Sequence, residues 1–514
     1  MPSFFRTVLG LVLALAAGCH SERPPDGITV LVESPPDSLD DRFALAAIGQ
    51  RIGQLIAPGL VVADDSSRLV PSLAESFRTV SPTVMEFTLR PGLTFHDGTA
   101  LTAEDVKATY DSVRSPALQS PRAVRYESVE AVEVVDDRTV RFHLRRPNAA
   151  LLAELSMGII PAERTGPEGV ALQAAHPVGA GPFRFESQAD EEHLTLVAFE
   201  GYHGGVPAIP RLYFRVVRDE TTRVLELLKG RADLVTDAVS PAVLPLLRKE
   251  PGLSVKVRPG TGYAYLGFNL RSGPLADVRV RRAVCHLLDV RPLVEHKFHG
   301  RAVPATGMLP VTHWAYSPSE GCRYDPAEAA RLLDEAGYRD PDGPGGQPRL
   351  TLTLKVSTDR FRKSVALVLQ EQLARGGVAV EVRSLEFGTL FNDIRRGNFE
   401  MVTLKWASVI EPDLLRHVYH SRNVPTEANH WGGLNRAALN DPELDALLDE
   451  ASRVEPSERK ALYARALERL DALLPYAPLW HESSAAVVSQ RLEGFEPSAH
   501  SFLTPLARAR MVRP

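Results

Sequence analysis

The chain has 514 residues, 44% of them hydrophobic and 24% charged, the profile of an ordinary globular protein with room for two or three domains, each with its own core. A formal charge of −5 argues against a nucleic-acid-binding surface, which needs a basic face. The 40 prolines favour many loops and turns over a long helical bundle.

The first predicted segment is not part of the fold. Arg6 gives a weak positive start, and Val8 to Ala17 form an apolar stretch too short to span a bilayer. Ala16, Ala17 and Gly18 then precede Cys19. This resembles a bacterial lipoprotein processing site, with residues 1–18 removed as a signal peptide and Cys19 acylated, although Ala16 stands where Leu is usual. An ordinary signal peptide with an incidental cysteine is the alternative. Two or three acyl chains, at about 0.8 kcal/mol per buried methylene, would hold the protein on a membrane face. Cys285 and Cys322 are the other cysteines. In an exported protein they can pair, and a buried free thiol at Cys285 is the other reading.

After residue 26, "GITVLVES" reads as a short strand ending at Glu33 and Ser34, and the next 140 or so residues are dominated by short strands and turns. Within them, Thr88 to Val113 reads as strand, turn and helix. Asp97-Gly98 marks the turn, and Thr102 with Asp105 makes a capping box. Leu93, Phe95 and Val106 are expected in the core, and His96 reads as a surface or hydrogen-bonded strand residue. From Arg211 the rhythm becomes βαβ: "RLYFRVV", then "ETTRVLELLKG" stopped by Gly230, then "ADLVT". A second α/β block follows from "YAYLGFNL" to "FEMVTLKWA", predicting parallel sheets with crossover helices. Two helices, "DPELDALLDEAS" and "SERKALYARALERLDALLP", precede a β-rich tail. Two α/β units joined through strands imply a cleft between lobes, where small ligands bind.

Catalytic signatures are absent from the sequence. There is no G-x-S-x-G, H-E-x-x-H, C-x-x-C or phosphate-binding G-x-x-x-x-G-K-[ST]. "GAGPFR" and "GTGYAY" lack the third glycine of a dinucleotide fingerprint. The cysteines have no histidines at zinc-ligand spacing.

The strings "LVPSLAESF", "TFHDGTALTAEDV", "HPVGAGPFRF", "YLGFNLRSGPLADVRVRRAV", "YDPAEAARLLDEAGY", "DPELDALLDEA" and "LPYAPLWHE" together resemble the family 5 extracellular solute-binding proteins. These are the peptide- and oligopeptide-binding components of ATP-binding-cassette (ABC) importers. The resemblance runs in order along essentially the whole mature chain. It implies an α/β, bilobed periplasmic-binding-protein fold (type II, cluster C-like) with an extra β-rich subdomain. Lobe I is expected at 19–45, 175–262 and 480–514, the subdomain at 46–174, and lobe II at 263–479. The resemblance implies no catalysis, cofactor or metal. It implies a monomer, facing the periplasm or the extracellular side, that takes a peptide or other small solute and has an ABC permease as partner.

For the ligand site, the resemblance points to "LKWASVIEPDLL". Peptide binders of this family carry Asp three residues after the tryptophan, accepting hydrogen bonds from the ligand's α-ammonium. Here Trp406 is followed by Val409, with Glu411 two residues further. A charge-assisted hydrogen bond contributes roughly 1.5–3 kcal/mol, so its loss weakens the case for a free peptide amine. Tyr263, Tyr265 and Asn269 fall at the expected crossover between lobes, as pocket, hinge or core residues, and Trp431, Glu33 and Ser34 are further pocket candidates. A non-peptide solute binder, a solute sensor and, remotely, a secreted hydrolase remain as alternatives.

Overall fold

A computed structural model describes residues 24–512, apart from Glu320, Pro341, Pro344, Gly345 and Glu455. The expected signal peptide, 1–18, and Cys19 lie outside the described residues.

Two long antiparallel strands organise the molecule. Leu253–Phe268 and Tyr476–Ser489 pair along most of their lengths, and their register breaks between Arg258 and Gly262. The break contains Pro259, which has no N–H for the ladder. It also contains Gly260, where a Cβ would lie 2.5 Å from the Glu482 carbonyl oxygen. On one side of the break the sheet continues through Leu234–Thr236, Ile28–Val32, Arg211–Val216, His193–Ala198 and Phe183–Asp190. On the other it continues through Met401–Trp406, Leu350–Ser357 and Val378–Leu385. The two halves are the two lobes.

The expectation of parallel sheets holds only for the inner strands. Ile28–Val32 runs parallel to both its neighbours, as does Leu350–Ser357. The crossing strands and the Phe183–Asp190/His193–Ala198 hairpin are antiparallel, because a hairpin needs only a tight turn whereas parallel pairing needs a crossover. Side chains alternate across the sheet. In the second lobe Ala264, Leu266 and Phe268 therefore enter one core, with helices Val278–His286 and Arg360–Arg375. Tyr263 and Tyr265 enter the other, with helices Leu414–Tyr419, Pro442–Ala451 and Pro456–Leu473.

The β-rich unit is a separate four-stranded antiparallel sheet in the order Ala74–Ser81, Val84–Leu89, Thr139–Leu144, Val129–Asp136. Helix Ala103–Arg114 packs Val106, Tyr110 and Val113 against Phe87 and Phe142. The capping box forms: Thr102 N–H donates to Asp105 Oδ2 at 2.8 Å, and Asp105 Oδ1 also accepts the Ala162 N–H at 2.9 Å. Leu93 and Phe95 are buried in this core. His96 is scaffold too. It accepts the Gly179 N–H at 3.3 Å and donates to the Gly181 carbonyl at 3.1 Å, and burial pushes its ring down to about 4.

Two details depart from the sequence reading. Helix Ala47–Ile56 was not predicted; its Gly49 and Gly53 weaken helix propensity, yet Ile48, Ile52, Leu55 and Ile56 bury one face in the core of the first lobe. Trp480, placed by sequence at the start of a lobe I segment, packs in the core of the second lobe. Cys285 and Cys322, which the sequence left open to pairing or to a buried free thiol, are joined in a disulfide, with Cα atoms 5.5 Å apart.

Candidate functional site

A cavity of about 1050 Å³ lies between the lobes. One wall comes from the β-rich unit, through the turn Ala123–Tyr126 and the loop after Thr139–Leu144, together with Gln50 and Gln54 of helix Ala47–Ile56. The facing wall is Trp406, at the end of its strand, with Ser408, Ile410 and Glu411 and the following helix Leu414–Tyr419. The lobes touch beside it. The Trp314 N–H donates to the Ser66 carbonyl at 2.9 Å, and the Ala149 N–H to the Ser452 carbonyl at 3.4 Å.

A smaller cavity, about 390 Å³, lies on the opposite face of the Met401–Trp406 strand. Strand alternation explains the division, since Lys405 lines the smaller space and Trp406 the larger one. Lys405 pairs with Glu482 at 2.6 Å, and Arg301 reaches across the lobes to Asp237 at 2.9 Å. Arg362, in the first turn of helix Arg360–Arg375, completes the basic side of that space.

Of the residues singled out by sequence, Trp406 lines the larger cavity. The Arg436 guanidinium stacks 5.3 Å from its ring and 4.8 Å from that of Phe391. The Trp406 indole N–H has no acceptor among the described residues, and a buried donor left unpaired calls for a partner from elsewhere. Glu411 lines the cavity as well, but Arg459 holds its carboxylate, and its Oε1 also accepts the Asp413 N–H at 3.2 Å. Burial pushes the Glu411 carboxyl up. Arg459 in turn donates to the Tyr463 hydroxyl at 2.9 Å and lies 5.6 Å over the Trp314 ring. Glu411 is thus a strut in the wall, not an open acceptor.

The other candidates are placed differently. Val409 is 0% exposed and packs with Leu415 and Val418 in the second-lobe core, so its side chain turns away from the cavity its neighbours line. Tyr263 and Tyr265 are also core, with ring centroids 5.6 Å apart and Tyr265 stacked on Tyr476 at 4.1 Å, although Tyr265 borders the smaller cavity. The Asn269 amide donates to the Gly397 and Phe399 carbonyls at 2.8 Å each, a strand-end brace. Trp431 is half-buried under Arg396, and only its neighbours Gly432 to Leu434 reach the cavity. Glu33 and Ser34 line neither cavity.

Sequence reasoning missed Gln54, Arg122, Arg146, Arg416 and Arg422, which line the larger cavity from four separate segments. No local motif marks them; only the fold brings them together. Among the described residues, no group of three or more His, Cys, Asp or Glu side chains is arranged to hold a metal ion.

A bilobed α/β body with a solute-sized cleft between lobes, crossed by two strands, defines a binding protein. Residues 68–423 match the family described as bacterial extracellular solute-binding proteins, family 5 Middle. The chain belongs to that family, whose members are ABC-importer binding proteins that act outside the cytoplasm and are not enzymes. It is 29% identical over 503 residues to the glutathione-binding protein GsiB of Shigella dysenteriae serotype 1, covering 95% of this chain and 94% of the relative. Two solved structures share the fold. NikA from Brucella suis, in complex with Fe(III)-EDTA, aligns with a TM-score of 0.82 at 24% identity, covering 94% of this chain and 99% of that one. DppA from Helicobacter pylori, in complex with the peptide STSA, aligns at 0.72 and 24% identity, covering 94% and 98%.

Proposed function

We propose that this protein captures a small peptide-like solute in the interlobe cavity and delivers it to an ABC permease, acting as a monomer tethered through an acylated Cys19. The cavity carries this reading. Its volume of about 1050 Å³ lies just above the usual range for small-ligand sites, with space for a short peptide. Closure follows from rotation about the register break near Pro259 and Gly260, where the crossing strands have least pairing. A solute that touches both walls favours the closed arrangement by its differential affinity for it. The names of the relatives support a peptide-like ligand, since one is glutathione-binding and another holds a tetrapeptide.

One observation narrows the ligand. The Trp406 loop offers no free carboxylate for an α-ammonium, because Val409 is in the core and Glu411 is held by Arg459. The same observation supports a second reading, a non-peptide solute on the same fold.

Isothermal titration with reduced glutathione, the peptide STSA and Fe(III)-EDTA tests the assignment, with Trp406→Ala as the cleft variant. At least one probe is expected to bind, and Trp406→Ala to weaken it about tenfold. No binding by any probe, or binding indifferent to Trp406→Ala, contradicts the reading. For the tether, palmitate labelling is expected in the native protein and not in Cys19→Ser.

A further inference from the structure

The occupant of the larger cavity must match the charge of its walls. Six arginines line it against five carboxylates. Two of those carboxylates are closed to a solute: Asp41 is buried against Arg122 at 2.8 Å, and Glu411 is held by Arg459. Glu154 pairs with Arg125 at 3.1 Å. Asp449 serves Arg422 at 3.0 Å and Arg453 at 3.7 Å, and it also faces His420 at 3.5 Å. Arg416 is matched by Asp413 at 2.8 Å, which His417 shares at 3.6 Å.

What is left is unequal. On the second-lobe wall, Glu411, Asp413 and Asp449 are all engaged, while Arg436, stacked behind Trp406, has no carboxylate partner among the described residues. On the facing wall Arg146 likewise has none there, and Glu127 is the exposed carboxylate that remains. The two walls meet where the Ala149 N–H donates to the Ser452 carbonyl, three residues from Arg146 and one from Arg453. Shutting the cleft therefore encloses an excess of arginine over carboxylate in a cavity walled by protein, where fields are focused.

We propose that the cavity selects a solute bearing at least one carboxylate or comparable anionic group, held between Arg146 on one wall and Arg453 with the Arg436-backed Trp406 on the other. The proposal rests on the cleft being the solute site. An anion held from both walls offsets that excess, so the charge that gives selectivity also favours closure. Arg436 assists from behind: a cation on the indole face draws electron density from the ring and makes the N–H a better donor to an anion.

Titration of the purified chain with Glu-Ala-Glu, Gln-Ala-Gln and Lys-Ala-Lys, acetylated and amidated so that only side-chain charge differs, tests this. The acidic probe is expected to bind about tenfold tighter than the neutral one at low salt, and the basic probe not at all. Arg146→Gln and Arg453→Gln should each weaken the acidic probe about threefold, and about 0.3 M salt should narrow the differences. Neutral or basic probes binding as tightly as the acidic one would overturn the charge selectivity and leave the cleft reading standing. Acidic-probe binding unchanged by Trp406→Ala would overturn the cleft reading itself. Small-angle scattering of the ligand-free protein gives a second measure, with Arg146→Glu expected to be more compact than wild type at low salt. No binding by the acidic probe together with identical radii for the two proteins sinks the proposal.

Discussion

At the scale of single residues, the Ser408–Asp413 loop shows how one position changes meaning with its surroundings. Val409 packs among Leu415 and Val418, and Glu411 faces the cavity but is neutralised from behind by Arg459. Placing an acid at 409 would therefore not create an ammonium site. Val409→Asp is expected to destabilise the fold by about 3 kcal/mol, the scale of burying an unpaired charge, seen as a lower urea midpoint. Undiminished stability with new affinity for amine-bearing peptides would show that the side chain reaches the cavity after all. Trp406 was legible from its neighbourhood in the chain. The arginines across the cavity were not, because each sits in an unremarkable charged turn or helix.

Among the elements, the helix Val278–His286 and the segment leading into Pro326–Glu335 are tied by Cys285–Cys322 across 37 residues of sequence. Closing a loop of that length contributes about 3–4 kcal/mol by restricting the unfolded chain. Cys285→Ser with Cys322→Ser is expected to lose stability on that scale in urea unfolding, and the native protein to show no reactive thiol at either position under denaturing conditions. Equal stability of the two proteins would mean that the pair is reduced. Helices with side-chain caps were readable in sequence, and Asp325 and Asp441 each accept the N–H three residues on. Helix Ala47–Ile56 was not, since no side-chain cap marks its start and burial overrides its glycines.

For the molecule as a whole, the crossing strands run past three buried histidines. The His313 Nδ1 accepts the Ala315 N–H, so its Nε2 donates to the Ile410 carbonyl, each at 3.0 Å. His313 also adjoins the Trp314 ring and feels Arg459, His481 and His500. His481 donates to the Gly307 carbonyl at 3.0 Å and packs 5.4 Å from the Tyr263 ring. His500 donates to the Asp64 carbonyl at 3.0 Å, meets Thr261 Oγ1 at 3.2 Å and lies near the Asp65 carboxylate. Burial pushes His313 and His481 down to about 4 and lowers His500. Because these values fall below the unfolded-state value near 6.5, the unfolded chain binds protons first. Stability is full above about pH 6.5 and declines as pH falls towards 4, by roughly 3 kcal/mol each for His313 and His481. Urea midpoints are expected to be flat from pH 7 to 8 and to fall between about 6.5 and 4.5. His313→Gln and His481→Gln should flatten that limb, and a limb that both variants leave unchanged would assign it to other groups.

The sequence by itself determined the local order of the chain: strands by alternation, helices by capping, turns by glycine and proline, and the family by motifs spread along its length. These are short-range preferences, or patterns that survive without knowing what packs on what. Only the tertiary structure decided that Val409 and the tyrosines belong to the core, that Glu411 is already partnered, and that arginines from distant segments share one cavity. Burial and charge pairing depend on neighbours brought together by the crossing strands, and linear spacing carries no record of those neighbours.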